Sequence, residues 1–182
     1  MSRINFPASI ETAAAAARPL LQGVKAKLGS VPNLFRLLAV SPAALEGYLG
    51  LSGALGNGSL EAGTRERIAL AVAEYNRCGY CTAAHSFIGK NLAGLTDAEI
   101  ARNRSGSSTD TRAAAAVEFA VNVVEARGDV SEADLAAVRL AGYSDAEVIE
   151  IVLHVALNTL TNYVNEVAQT TVDFPAVKAR AA

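Results

Sequence analysis

Apolar side chains recur at helical spacing along almost the whole chain of 182 residues. Leu, Ile, Val and Ala return every three or four positions, and no stretch alternates apolar and polar residues between hairpin turns. A chain of this length suffices for one hydrophobic core. The pattern therefore predicts an all-α fold with a single domain over residues 1–182, in which 1–18 form an irregular arm.

Glycines and capping residues mark where the predicted helices begin and end. Gly29 closes the first helix, and Ser41 followed by Pro42 begins another, because serine caps free amides and proline fits the first turn. We expect a loop over 30–33 and a polar loop over 104–111. The predicted helices cover 20–28, 42 to about 56, 65–75, 80–92, 97 to about 103, 112–126, 131–140 and 145 to about 170.

Two of these helices carry patterns that bear on their position. The helix over 65–75 is almost uniformly apolar in its middle, which predicts a central, buried helix. The last helix has an apolar and a polar stripe, and we interpret the polar stripe, with His154, as facing a subunit contact or solvent. Tyr48 and Tyr163 fall at apolar positions and are interpreted as core or interface anchors. The apolar stripe comprises Ile149, Val152, Ala156, Leu160, Tyr163 and Val167, and the polar stripe comprises Glu150, His154, Asn158 and Asn162.

Two helix starts share a short local pattern. Gly94-Leu95-Thr96 and Gly142-Tyr143-Ser144 each precede a predicted helix. Glu99 and Glu147 follow three residues after the hydroxyl, as in a capping box, where hydroxyl and carboxylate bind free amides at a helix start. The recurrence raises the hypothesis of two related helical halves.

The composition favours subunit contacts and argues against two kinds of partner. Apolar residues make up 51% and charged residues 19%, less than the roughly 25% charge of soluble domains, so we expect helix faces buried in a homo-oligomer. The net charge of -2 and the lack of a Lys- or Arg-rich run argue against a nucleic-acid partner. With no basic-then-apolar leader and no stretch long enough to cross a bilayer, we expect a cytoplasmic protein without a membrane partner.

The candidate chemistry is concentrated in one short segment. Both cysteines of the chain, Cys78 and Cys81, lie within eight residues of sequence that also contain His85, one of two histidines. On a helix, spacings of three and four place these side chains on one face. In a reducing compartment, such a pair is more typical of a catalytic or metal-binding site than of a structural disulfide.

A predicted helix start at the thiols favours a thiolate, since free amides and the helix dipole lower the pKa of a thiol there. His85 can take the proton of Cys81, which makes Cys81 the better nucleophile. Attack on a peroxide would leave a sulfenic acid on Cys81, Cys78 would capture it as a disulfide, and an external dithiol would reset the pair. A carboxylate would hold the imidazole, and Glu66 and Glu74 are the candidates.

Other interpretations of the same residues stay open. Glu66 could be only the first-turn acid of its helix, and Glu74 could form a local ion pair with Arg77. The cysteines could be small buried residues. They could also bind zinc with His85, although the second close ligand pair of structural zinc sites is missing. The alternative function is a noncatalytic oligomeric scaffold that uses the pair as a zinc clip or redox switch.

The run over 65–85 resembles the signature of the alkylhydroperoxidase D (AhpD)-like branch of the carboxymuconolactone decarboxylase superfamily. Glu66 is followed twelve positions later by Cys78-Gly79-Tyr80-Cys81, and His85 comes four positions after the second cysteine. The segments 31–35 and 158–175 resemble the peroxidase-related subgroup of the same branch.

The resemblance implies an all-helical trimer or hexamer that acts as a thiol-dependent alkylhydroperoxide reductase or dithiol-disulfide oxidoreductase. Cys81 would be the peroxidatic thiol and Cys78 the resolving thiol. Glu66 and His85 would form the proton relay, without metal or organic cofactor. The implied partners are a hydroperoxide and a dithiol reductant of lipoyl- or thioredoxin-like type. Tyr80 departs from the branch, which has a second histidine there, and tyrosine cannot relay protons in the same way near neutral pH.

Overall fold

The computed structural model describes residues 2–177, and this part of the chain is helical without any strand. The all-α prediction is confirmed. A short 3-10 turn over Ala15–Ala17 precedes nine α-helices within the described residues. These are α1 (Arg18–Leu28), α2 (Asn33–Leu38), α3 (Pro42–Gly56), α4 (Ala62–Tyr75), α5 (Gly79–Asn91), α6 (Asp97–Arg104), α7 (Thr111–Glu125), α8 (Glu132–Leu140) and α9 (Asp145–Ala168).

The segment before the first helix has no regular structure over 2–14. It is nevertheless tied to the helical body. The Arg3 amide donates to the Ala168 carbonyl at 2.6 Å, and the Arg36 guanidinium donates to the Ala8 carbonyl at 2.7 Å. The arm therefore lies against the end of α9 and the side of α2.

Helix α2 has no counterpart in the sequence-based prediction, which places only a loop before it. Its first amides are capped by distant side chains. The Asn33 amide donates to Asp173 Oδ2 at 2.8 Å, and the Leu34 amide donates to the Tyr80 hydroxyl at 3.1 Å. Because an isolated helix of six residues is unstable, α2 depends on these caps, which local sequence does not reveal.

Helix α4 is the central helix of the fold, which confirms the prediction for this segment. It packs against α5, α6, α7 and α9. Ile68, Leu70 and Val72 are fully buried along it, and each such side chain stabilises the fold by about 1.5–3 kcal/mol. Because helices surround α4, its successive side chains reach different neighbours.

Two apolar clusters form most of the core. One gathers α1, α2, α3 and the start of α5 around Leu21 and Leu45, and it contains Cys78 and Cys81. The other joins α4, α7, α8 and α9 around Ile151. The thiols thus lie in an apolar cluster, where a charged sulfur needs compensating partners.

Helix α9 turns its polar stripe inward and its apolar stripe outward. His154, Asn158 and Asn162 are at most 6% exposed. On the outer face, Val167 is 66% exposed. The interpretation that the polar stripe faces solvent or a subunit contact is therefore wrong. The inward amides bind polar groups inside the subunit, as Asn76 Nδ2 donating to Asn162 Oδ1 at 2.9 Å illustrates.

The two tyrosines interpreted as anchors lie in different environments. Tyr48 is half-buried against the first cluster, with its ring edge-on to Phe35 at 5.9 Å between centroids. Tyr163 is 60% exposed and belongs to the outer face of α9, so it is not part of the subunit core. None of the helices over 2–177 combines the length and the apolar character needed to cross a membrane.

The two predicted capping boxes have different outcomes. Ser144 and Glu147 form the full box at the start of α9. At α6, the Thr96 hydroxyl accepts the Glu99 amide at 3.2 Å, but the Glu99 carboxylate binds Arg67 at 2.8 Å instead. The prediction of a second full box is wrong because the carboxylate accepts hydrogen bonds from Arg67 on α4, from Asn103 on α6 and from the loop after α6.

The likeness between the two helix starts is confined to the corner itself. Gly94 and Gly142 both take left-handed φ angles, of 69° and 91°. The flanking helices differ, since α5 and α6 have 13 and 8 residues while α8 and α9 have 9 and 24. Two related helical halves therefore stay a hypothesis.

Candidate active site

The thiol segment lies where α4 ends and α5 begins. The Cys78 amide donates to the Ala73 carbonyl at 2.9 Å, and the Arg77 amide donates at 3.0 Å to the Glu74 carbonyl. These two bonds close α4 as a Schellman motif, which needs one left-handed residue. Arg77 takes that conformation, with φ of 56°, although it carries a Cβ. Because of this closure, Cys78 lies directly before the first residue of α5.

Cys78 is the N-cap of α5, and its Sγ accepts the Cys81 amide at 3.4 Å. The helix start predicted at the thiols is confirmed. Both cysteines are free and almost completely buried, with exposures of 0% and 2%. Cys81 Sγ also accepts the side-chain amide of Asn165 at 3.3 Å. Since the sulfurs are shielded from bulk water, each hydrogen bond to them is electrostatically stronger than it would be at the surface.

The two thiols have opposite acidities. A hydrogen bond from the Cys78 thiol lowers the pKa of Cys81 to about 6 despite burial, with help from the charge of His85. The amides of Asn165 and Asn162 contribute in the same direction. The same hydrogen bond, together with burial, raises the pKa of Cys78. Cys81 is therefore the thiol suited to be an anion near neutral pH, and Cys78 is suited to keep its proton.

Glu66 and His85 form a hydrogen-bonded pair in this site. Glu66 Oε2 lies 2.8 Å from His85 Nδ1, and the two side chains are 19% and 21% exposed. Burial disfavours the imidazolium, but the Glu66 carboxylate outweighs it and raises the pKa of His85. Over the described residues, no hydrogen bond joins the ring to either sulfur. His85 therefore acts on Cys81 through its charge in this arrangement.

The other candidate carboxylate belongs to a different contact. Glu74 Oε2 accepts Arg104 Nε at 2.7 Å. Glu74 thus neither holds His85 nor forms the local pair with Arg77 that the sequence suggested. Glu74 does form an ion pair, as the second interpretation proposes, but its partner is Arg104 on α6 and not Arg77.

Tyr80, between the two cysteines, is part of a structural contact. Its hydroxyl donates to Asp173 Oδ1 at 2.8 Å and accepts the Leu34 amide at 3.1 Å. Its ring stands edge-on to Phe174 at 5.7 Å between centroids. Burial raises the pKa of Tyr80 above its ordinary value. The hydroxyl is therefore a neutral clamp between α2 and the segment after α9.

Sequence reasoning missed the amides that α9 directs at the site. Asn162 and Asn165 are 0% and 2% exposed. Asn158, Asn162 and Asn165 follow one another at spacings of four and three, which place them on one helix face. That spacing was available from the sequence, but a solvated polar face gives the same pattern.

No cluster of three or more His, Cys, Asp or Glu side chains that could hold a metal ion is found over residues 2–177. Structural zinc takes four ligands. The zinc-clip alternative therefore lacks a ligand set in the described part of the chain.

Comparison with known proteins adds an independent line of evidence. A model of the carboxymuconolactone decarboxylase family matches residues 42–126, which span α3 to the end of α7 and include Glu66, both cysteines and His85. No curated protein shows significant similarity to the chain.

Several solved structures share the fold. The alkylhydroperoxidase AhpD core of an uncharacterized peroxidase-related protein from Ralstonia eutropha JMP134 is 29% identical, with 94% of this chain and 92% of that one covered and a TM-score of 0.84. An uncharacterized peroxidase-related protein from Silicibacter sp. TM1040 is 24% identical, with coverages of 93% and 91% and a TM-score of 0.81. The debrominase Bmp8, in complex with a tribromopyrrole, is 17% identical, with coverages of 95% and 94% and a TM-score of 0.80.

The family match over residues 42–126 and the 29% identical structure both support the resemblance of the motif over 65–85 to AhpD-like proteins and carboxymuconolactone decarboxylases. Proteins with this fold are named as peroxidase-related and as a debrominase. Because one fold hosts more than one chemistry, the reaction has to be argued from the site.

Proposed function

We propose that the protein is a thiol-dependent hydroperoxide reductase, with Cys81 as the peroxidatic thiol. The observation that supports this most is the different surroundings of two buried thiols one helical turn apart. Cys81 Sγ accepts the side-chain amide of Asn165 at 3.3 Å, whereas Cys78 Sγ accepts the backbone amide of Cys81 at 3.4 Å. These contacts agree with a lowered pKa of Cys81 and a raised pKa of Cys78. Thiolates are the nucleophilic form of cysteine. An inert packing role gives no reason for such a difference.

In the first step, the Cys81 thiolate attacks the terminal oxygen of the hydroperoxide. A sulfur-oxygen bond forms, the oxygen-oxygen bond breaks, and the product is a sulfenic acid on Cys81 and an alkoxide. His85, held as imidazolium by Glu66 at 2.8 Å, supplies the proton that turns the alkoxide into an alcohol. Glu66 and His85 are thus the proposed proton relay.

In the second step, the Cys78 sulfur attacks the sulfenic sulfur of Cys81. A disulfide forms, and the hydroxyl leaves as water with the proton that Cys78 carried. An external dithiol, of the lipoyl or thioredoxin-like kind, then reduces the disulfide and is itself oxidised. The cycle needs no metal or organic cofactor.

The test is steady-state consumption of hydrogen peroxide and of an organic hydroperoxide by chelator-treated protein, with dihydrolipoamide as the dithiol. We expect one dithiol oxidised for each hydroperoxide consumed. A rate no greater than that of the dithiol alone would overturn the proposal, as would activity that the chelator removes.

The alternative is a redox switch without turnover, and the near-complete burial of both sulfurs favours it, since a bulky reductant would reach them only after local opening. Mass spectrometry separates the two functions. A switch would form the Cys78–Cys81 disulfide with peroxide and would stay oxidised in the presence of dithiol.

We also propose that copies of the chain associate through the outer face of α9, in a trimer or hexamer. This face exposes apolar side chains, including Ile149 at 62% and Tyr163 at 60%. The low share of charged residues, 19%, also favours burial of such a face between subunits. Replacing Tyr163 by Arg should dissociate the assembly in analytical ultracentrifugation. A wild-type monomer at micromolar concentration would contradict the proposal.

A further inference from the structure

Asn165 brings a side-chain amide from α9 to the sulfur of Cys81 on α5. Its Nδ2 donates to Cys81 Sγ at 3.3 Å, across 84 positions of sequence. Hydrogen bonds at the end of α9 hold the backbone of Asn165 in place. The Thr170 amide donates to the Asn165 carbonyl at 3.1 Å, and Gln169 takes the left-handed φ of 50° that this closure needs. The amide is thus presented by a rigid helix terminus.

An amide at this position is unfavourable for packing alone. Oδ1 of Asn165 is buried and makes no hydrogen bond within residues 2–177. A buried acceptor without a partner destabilises the fold, whereas a leucine of similar size would not. The contact with Cys81 is therefore the feature that distinguishes asparagine from an apolar residue here.

Asn162, one turn earlier on α9, presents a second amide to the same region. Its Oδ1 accepts Asn76 Nδ2 at 2.9 Å, which fixes the orientation of the side chain. Its own Nδ2 is buried and has no hydrogen-bond partner among the described residues. It lies near enough to Cys81 to lower the pKa of that thiol. The Asn162 amide is therefore a second buried donor on the same side of α9, without a hydrogen bond to the sulfur in this arrangement.

We propose that Asn165 is a catalytic residue that binds the anionic Cys81 sulfur, with Asn162 as a second and more distant donor. N–H groups bind a thiolate more strongly than a neutral thiol, because the hydrogen bond is charge-assisted. The catalytic meaning of this contact rests on the proposed hydroperoxide reductase function. Its effect on the thiolate does not.

The same contact serves the reduction of the disulfide. When an external dithiol attacks the Cys78 sulfur, the sulfur-sulfur bond breaks and its electron pair goes to Cys81, which leaves as a thiolate. The second thiol of the reductant then releases Cys78, and the dithiol ends as a disulfide. Because a thiol of lower pKa leaves faster, Asn165 assists both halves of the cycle.

The test is the pH dependence of iodoacetamide alkylation at Cys81 in fully reduced, full-length protein, followed by mass spectrometry of the Cys81 peptide. The wild-type midpoint should lie near the Cys81 pKa of about 6. Asn165→Leu, which is similar in size, and Asn165→Ala both remove the donor. Each should raise the midpoint by about one pH unit or more.

Asn158→Leu is the matched control. Asn158 lies on the same helix face and is 6% exposed, but its Nδ2 donates to the His154 carbonyl at 2.8 Å. Its midpoint should equal that of the wild type, and circular dichroism should show all variants folded. Unchanged midpoints in both Asn165 variants would overturn the assignment, as would an equal shift in Asn158→Leu, which would trace the effect to packing.

Alkylation requires no hydroperoxide, so the two proposals can fail separately. A wild-type protein without turnover, combined with shifted midpoints in the Asn165 variants, would support the thiolate contact and remove the reductase function. Hydroperoxide turnover in the wild type, combined with unchanged midpoints in the Asn165 variants, would support the reductase function and remove the thiolate contact.

Discussion

Glu66 and Glu99 are two shielded carboxylates that differ in the number of donors they accept. Glu99 is 4% exposed and binds four side chains. Within the described chain, the hydrogen bond that Glu66 makes is the contact of 2.8 Å with His85. The donors of Glu99 are Arg67, Asn103, Ser108 and Thr109.

The difference separates a structural carboxylate from one available for chemistry. Burial alone would raise the pKa of Glu99, but the hydroxyls of Ser108 and Thr109 and the guanidinium of Arg67 hold it well below its ordinary range. A carboxylate with that many donors stays ionised and fixed. Glu66 is paired with a group that itself titrates, so a proton can pass along the pair.

Consecutive residues of the central helix α4 belong to the thiol site and to the structural site around Glu99. Glu66 faces His85, while Arg67, the next residue, binds Glu99. Because neighbouring side chains on a helix point about 100° apart, α4 supports α6 on one side and the thiol site on another. Substitutions at the two sites should therefore have separable effects.

The largest expected effect is on activity at the thiol site. Cys81→Ser should reduce hydroperoxide turnover to background, because the nucleophile is lost. Cys78→Ser should react once and accumulate a sulfenic acid on Cys81, which dimedone and mass spectrometry detect. Glu99→Gln, assayed where it is folded, should retain turnover. Equal residual activity in the two cysteine variants would overturn their assigned roles.

The next effect is on stability at the structural site. Glu99→Gln should lower the free energy of unfolding by about 3 kcal/mol, since Arg67 and three further donors lose a charged acceptor whose side chain is only 5% exposed. Glu66→Gln should cost less than about 1 kcal/mol, because the Glu66–His85 pair is partly exposed. Urea unfolding at neutral pH measures both. Similar losses in the two variants would remove the distinction between the sites.

The acid limb of the stability profile sharpens the same comparison. Folding lowers the pKa of Glu99, so its ionised form stabilises the folded protein fully at pH values above about 4.5, the ordinary pKa of a glutamate. This contribution is lost as the pH falls from that value toward the folded pKa. Glu99→Gln should therefore have a flatter acid limb than the wild type, and equal slopes would contradict the assignment.

A smaller effect is expected on the acidity of Cys81. His85→Ala removes the imidazolium that favours the thiolate, and Glu66→Gln removes the carboxylate that stabilises this imidazolium. Each should raise the alkylation midpoint of Cys81 by about half a pH unit. Glu74→Gln is the control, because Glu74 binds Arg104 instead. An unchanged midpoint in both variants would remove the relay from the mechanism.

The smallest effect is expected at Tyr80. Tyr80→Phe leaves the Leu34 amide and the Asp173 carboxylate without a shared partner, which should cost about 1 kcal/mol of stability. The alkylation midpoint of Cys81 should stay within error of the wild type. A large shift would show that the hydroxyl takes part in the thiol chemistry.

The sequence predicts most of the helices because their signals are local. Ser41, Ser144 and Gly29 lie where the chain enters or leaves a helix. The apolar run of α4 identifies the central helix in the same way. The motif that joins Glu66 to His85 is predictable because both residues lie on adjacent helices joined by a short turn.

The remainder depends on contacts between distant positions. Asp173 caps α2 from 140 positions away, and Asn165 meets Cys81 across 84. The Glu99 carboxylate does not complete its capping box because it accepts donors from α4, from α6 itself and from the loop after α6. The two faces of α9 have the hydrophobic period of any amphipathic helix, so the pattern alone does not tell which face is inside.

The most direct measurement is rapid-quench mass spectrometry of the reduced protein after one equivalent of organic hydroperoxide at neutral pH. We predict that one alcohol forms for each Cys78–Cys81 disulfide, with a sulfenic acid on Cys81 preceding it. Thiols that stay reduced, or oxidation that begins at Cys78, would contradict a mechanism in which Cys81 is the anionic nucleophile.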